Sequence, residues 1–144
     1  ALRRQFTTQL AMPIALTLLR MSRCFPEPAP VMAAYRLHRG VDARDVARAH
    51  ALALQCSDPG VRTYVISAST PFRREDLAEL KTNAPAVLAQ RAPDLVDAFG
   101  ARGWSLPTSI DRVYSAALAR SELGWQPRYG FADVLATFDA AADT

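Results

Sequence analysis

The feature that most constrains this chain is the order of three segments in its first half: an apolar run, a helical pattern, then a β-favouring run. Ile14 to Leu19 is almost continuously apolar, which suits a strand buried on both faces of a parallel sheet better than an amphipathic strand. From Asp42 to Gln55 the pattern turns helical. Asp42 is placed to act as the N-cap with Asp45 three residues on, and Val46, Ala49, His50, Ala53 and Leu54 share one face while Arg44 and Arg48 point away from it. Ser57 to Gly60 is turn chemistry, and Thr63 to Ser69 is a strand bounded by that turn and by Pro71. Strand, helix, strand is the crossover unit of an α/β sheet, so the two strands are predicted to be parallel. Between the first strand and the helix, Met21 to Met32 holds Pro26, Pro28 and Pro30 and reads as a loop, because proline breaks helix and sheet ladders.

After Pro71 the pattern is helical: Arg74 to Lys81, Ala84 to Gln90 and Pro93 to Phe99, punctuated by Pro85, Pro93, Gly100 and Gly103. Ile110 to Tyr114 reads as a short extended piece and Ala116 to Leu123 as a short helix stopped by Gly124. Phe131 to Ala141 reads as a final amphipathic helix with Val134, Leu135 and Phe138 inward. The expected organisation is an α/β unit over residues 1–70 and a mostly helical subdomain over residues 71–144. A chain of 144 residues, 50% hydrophobic, can bury a real core.

The formal net charge is only +3 and the arginines are scattered, which excludes a nucleic-acid-binding stripe. Cys24 and Cys56 have no metal-ligand spacing and no activating base beside them; they read as a small buried hydrophobe and a helix-end residue of a reduced, cytoplasmic chain. Arg3 and Arg4, ahead of Phe6 and an apolar run from Leu10 to Leu19, superficially resemble a twin-arginine export signal. Pro13 inside the run, the closing Arg20 and Arg23, and the lack of a small-residue cleavage site argue against export. The run is too short for a bilayer, which takes about 20 apolar residues, so no membrane span is expected.

Three segments, in order, carry a family resemblance. Leu19-Arg20-Met21-Ser22-Arg23-Cys24-Phe25-Pro26 is similar to a strand ending in LR and followed by a loop reading xxNxYGP. His38-Arg39-Gly40-Val41-Asp42-Ala43-Arg44-Asp45-Val46-Ala47 is similar to RDxIHVxDxA, with Thr63-Tyr64-Val65-Ile66-Ser67 as the next strand. Ala119-Arg120-Ser121-Glu122-Leu123-Gly124-Trp125-Gln126-Pro127 is similar to a closing KAxxELGWxP. Together they resemble the C-terminal, substrate-binding half of the extended short-chain dehydrogenases, the NAD-dependent epimerase/dehydratase family.

The resemblance implies a remnant of a Rossmann-type parallel sheet with a helical substrate-binding subdomain, and a nucleotide-sugar-like small molecule as ligand. It places Arg23, His38, Arg39 and Arg112 as substrate-binding residues, converging on a basic pocket about as wide as a diphosphate, with surface pairing as the alternative for Arg112. Arginine suits phosphate oxygens because its donors are paired and delocalised. The resemblance places Ser22 and Cys24 as cofactor-binding residues. The cofactor implied is NAD or NADP, held by an N-terminal half whose glycine-rich turn and Tyr/Lys pair are not in this sequence: the glycines at 40, 60, 100, 103, 124 and 130 never approach GxxGxxG, and Leu77 stands four residues before the single Lys81. The chain alone is therefore expected to bind no NAD tightly and to turn over no sugar nucleotide. Its partner is expected to be its own N-terminal half or a second copy; a noncatalytic binding or interaction module is the alternative. Trp125 reads as core, and Asp45 as a helix-entry residue.

Overall fold

The computed structural model describes residues 14–142; the Arg3/Arg4 pair and the start of the apolar run after Leu10 lie outside the described residues. The described chain is mixed α/β, with seven α-helices and a two-stranded parallel sheet. Strand β1 (Ala15–Met21) pairs with β2 (Gly60–Ile66) in parallel, Ala15 opposite Gly60 and Met21 opposite Ile66, as the strand–helix–strand order requires. β2 starts three residues earlier than its β-branched run, at Gly60, whose φ of 123° only glycine adopts freely.

Helix α1 (Ala29–Tyr35) lies where a proline loop was expected. Pro28 stands just outside it and Pro30 in its first turn, where the missing N–H has no intrahelical partner anyway, so these prolines start the helix instead of forbidding it. Helix α2 (Ala43–Ala53) begins as expected, the Asp42 carboxylate accepting the Arg44 N–H at 3.0 Å. Its inward stripe differs: Asp45 and Ala49 are buried, Val46 and Leu52 half-buried, while His50 and Leu54 are exposed, Leu54 at 88%. Arg48 does not point away; it is half-buried and donates to the Gln126 carbonyl at 3.1 Å.

A short 3₁₀ turn (Arg74–Asp76) leads into α3 (Leu77–Thr82), α4 (Ala84–Arg91) and α5 (Pro93–Ala101), close to the three expected segments. Residues 110–114 form no strand. Helix α6 (Ala117–Glu122) ends at Gly124, whose φ of 63° is the left-handed stop expected there. In the last helix, α7 (Phe131–Ala142), Val134 and Leu135 are buried, whereas Phe138 is 41% exposed and meets the Trp104 ring edge-on at 5.1 Å.

Two hydrophobic clusters hold these elements. One joins α1, α3, α4, α5 and α7 through residues such as Ala33, Leu80, Leu88, Leu95, Phe99 and Val134. The other packs Tyr64 and Ile66 of the sheet, with Leu19, against Ala49 of α2, Ala119 of α6 and the fully buried Trp125. The clusters interleave along the chain instead of meeting at residue 70: α1 belongs with the later helices, and α6 with the sheet. Among the described residues the sheet is covered on one face only. Leu16, Leu18 and Val65 on the other face stay half-buried and Val61 is exposed, so β1 is not the doubly buried strand its composition suggests. The reason is that α2 and α6 both lie on the face of Leu19, Tyr64 and Ile66.

Asp45 fastens the sheet cluster to the last segment. Its side chain is fully buried, its carboxylate accepts the N–H groups of Arg128 and Tyr129 at 2.9–3.0 Å, and its backbone carbonyl accepts the Trp125 indole N–H at 2.9 Å. Arg48 supplies the balancing charge at 3.3 Å. Asp45 stands in the first turn of α2, as expected for a helix-entry residue, and is in addition a tertiary anchor, because a buried carboxylate needs donors and Arg128 and Tyr129 supply them. No described helix is long and apolar enough to cross a membrane.

Candidate functional site

The loop after β1 and the turn after α1 meet beside the carboxyl ends of the strands. Arg23 N–H donates to the Arg39 carbonyl, Val41 N–H returns to the Arg23 carbonyl, and Ala68, just past β2, donates to the Gly40 carbonyl at 2.8 Å. Ligand groups in open α/β sheets collect at this end. Gly40 is needed here for space: a Cβ would lie 2.8 and 2.9 Å from the backbone carbon and oxygen of Tyr35.

Tyr35 is the centre of the site. The Arg39 guanidinium lies over its ring at 4.6 Å and donates to its hydroxyl oxygen at 3.0 Å; Arg23 lies over the same ring at 5.5 Å, and the His38 ring meets it edge-on at 5.5 Å. Arg112 enters from residues 109–114. Its carbonyl is 3.2 Å from His38 Nδ1, while Tyr114 N–H donates to the His38 carbonyl at 2.7 Å. Of the four residues placed by the sequence on a common ligand, Arg23, His38 and Arg39 are thus brought together around one tyrosine, whereas Arg112 reaches the group through its backbone carbonyl and turns its exposed guanidinium to Asp111.

The expected basic character is largely compensated. Arg23 pairs with Glu27, and Asp111 pairs with both Arg39 (3.6 Å) and Arg112 (2.7 Å). The Arg112 guanidinium in turn holds the Asp111 carboxyl below the usual carboxylate range. His38 is 5% exposed, and burial pushes its imidazole down to about 4, against the opposing effect of the hydrogen bond it donates to the Arg112 carbonyl. It is therefore neutral near pH 7. A carbonyl only accepts, so Nδ1 carries the proton and Nε2 is left as an acceptor.

A cavity of about 570 Å³ opens against this group, between α1 and residues 103–111. Tyr35, His38, Arg39 and Asp111 line one side, and Phe99, Trp104, Leu106 and Ile110 contribute apolar wall. Arg23 and Arg112 flank the group without lining this cavity, and Ser22 and Cys24 do not line it either. Ser22 is buried at the end of β1 with a hydroxyl that has no hydrogen-bond partner, and Cys24 packs against the sheet cluster. Among the described residues no group of three or more histidine, cysteine or acidic side chains could hold a metal ion.

Sequence reasoning missed Tyr35, Asp111 and the Trp104–Leu106 wall. Tyr35 carried a readable signal, four residues before Arg39 and hence one helical turn away. Asp111 carried none, since its role depends on residues 109–114 folding back onto α1.

No family model matches the chain, and no curated protein or solved structure matches it.

Proposed function

We propose that this chain is the substrate-binding part of an NAD(P)-dependent oxidoreductase of the epimerase, dehydratase or reductase type, and that its 570 Å³ cavity beside Tyr35 is the substrate site. The observation that carries this reading is the convergence of Arg23, His38 and Arg39, with the backbone of Arg112, drawn from three separate segments, at the carboxyl end of a parallel sheet. The volume is in the range of small-molecule sites, roughly 300–1,000 Å³, and the mixture of apolar wall with a few polar groups is their usual chemistry.

The residues described do not themselves fit a dinucleotide. Gly40, beside the site, has its N–H engaged by the Tyr35 carbonyl at 2.6 Å, and among the described residues no glycine-rich turn opens a helix. The cofactor therefore belongs to a second half, and no hydride step is assigned to this chain. A groove of about 510 Å³ runs along the side of β1, lined by Ala15, Leu16, Thr17, Leu18 and Leu19 with His50, Ala53 and Leu54 of α2, and it offers a seat for that half's neighbouring strand.

The test is an amide-shift titration by NMR against a panel running from UDP-glucose to uncharged ring alcohols and ketones. At least one ligand is expected to move the amides of residues 35–40 and 109–112 together. A panel that leaves both segments unmoved, or moves only distant residues, refutes the substrate site.

A further inference from the structure

Resting on the reading of the Tyr35 cavity as the substrate site, we infer that its ligand is an apolar, ring-bearing molecule whose polar end is a hydroxyl or carbonyl, and not a nucleoside diphosphate. Three features of the cavity carry this. The first is charge. Of the residues lining the cavity, Arg39 and Asp111 carry the formal charges, and they pair with each other at 3.6 Å, which leaves no net charge. A diphosphate brings two or more negative charges, and here it would have to lie against Asp111 or displace it from two arginines at once. Desolvating an unmatched anion is costly, and like charge repels it.

The second feature is the wall. Val31, Ala34, Phe99, Trp104, Leu106 and Ile110 all line the cavity, and Trp104 is braced edge-on by Phe99 at 5.4 Å and Phe138 at 5.1 Å. Such a surface gains from burying a ring system, about 25 cal/mol for each Å² of apolar area, and gains nothing from burying phosphate. The third feature is the polar end. The Tyr35 hydroxyl oxygen accepts from Arg39 and so keeps its own proton to donate, while the His38 tautomer fixed by the Arg112 carbonyl leaves Nε2 as an acceptor. One donor and one acceptor, from α1 and the turn after it, match an alcohol, which uses both, or a ketone, which takes the tyrosine proton.

The experiment is isothermal titration calorimetry of the chain with 2-naphthol and, separately, with UDP. Three proteins are compared: the unaltered chain, Asp111→Asn and Leu106→Glu, each checked for folding by circular dichroism. The unaltered chain is expected to bind 2-naphthol at least about tenfold more tightly than UDP. Asp111→Asn should strengthen UDP about tenfold by releasing Arg39 and Arg112, and so narrow the preference for naphthol over UDP. Leu106→Glu should weaken naphthol by about tenfold or more. UDP binding more tightly than naphthol to the unaltered chain overturns the inference and leaves the substrate site standing. Failure of both ligands to bind removes the site itself. Naphthol binding that survives Leu106→Glu in a folded protein puts the ligand elsewhere and also overturns the inference.

Discussion

Acidification should destabilise this fold through His38 before it does so through its carboxylates. The imidazole is 5% exposed and its pKa is pushed down to about 4 by burial, whereas an unfolded histidine protonates near 6.5. Between those two values the unfolded chain binds more protons than the folded one, so stability is fully present above pH 6.5 and falls as pH drops toward 4. The difference integrates to about 2.5 kcal/mol by about pH 4.5, a large share of a small domain's stability. The Asp42, Asp76 and Asp111 carboxyls are held low by arginine partners, Arg44, Arg91 and Arg112 respectively. Their contribution is present above the ordinary carboxylate value and is lost only below it, so the two windows separate. The measurement is urea unfolding followed by tryptophan fluorescence from pH 7 to about pH 4.5, on the unaltered chain and on His38→Gln. The glutamine amide can still donate to the Arg112 carbonyl but takes no proton. The unaltered chain should lose about 2.5 kcal/mol across that range and the variant should be nearly flat. A flat profile for the unaltered chain, or an equal slope in both, would refute the argument that desolvation dominates at His38.

Three further outcomes follow from particular contacts. Asp45→Ala leaves the Arg128 and Tyr129 N–H groups and Arg48 without their shared acceptor; a loss of about 3–5 kcal/mol is expected in urea unfolding, and less than about 1 kcal/mol would show that the anchor is dispensable. Gly40→Ala forces a Cβ to within 3 Å of the Tyr35 backbone, so it should cost about 1–3 kcal/mol and also shift the Tyr35 ring resonances, since the clash lies inside the site. Gly124→Ala meets no atom within 4 Å but must hold a φ of 63°; about 1 kcal/mol is expected, with the Tyr35 resonances unmoved.

The local elements were readable from sequence wherever a single segment decides its own conformation. The Asp42 cap, the prolines opening α4 and α5, and the left-handed stop at Gly124 each act within one helical turn, so residue order alone fixes them. The parallel pairing of β1 and β2 was readable for a related reason: the helical pattern between two β-favouring runs leaves room for a crossover and not for a hairpin. Even so, the three prolines of residues 26–30 misled, because proline forbids a helix interior but favours a helix start, and only position relative to the start distinguishes the two.

What the tertiary structure decided was which faces turn inward and what each charge meets. The stripe on α2 is set by Asp45, whose partners lie more than eighty residues away at Arg128 and Tyr129. Arg23, Arg39 and Arg112 could be named from sequence as candidates, but their acidic partners could not, because Asp111 reaches Arg39 across 72 residues of chain. Periodicity reports burial only where apolar side chains do the packing. A buried carboxylate carries no such signature; it is stable solely through donors that folding brings to it, and those donors belong to the fold and not to the segment.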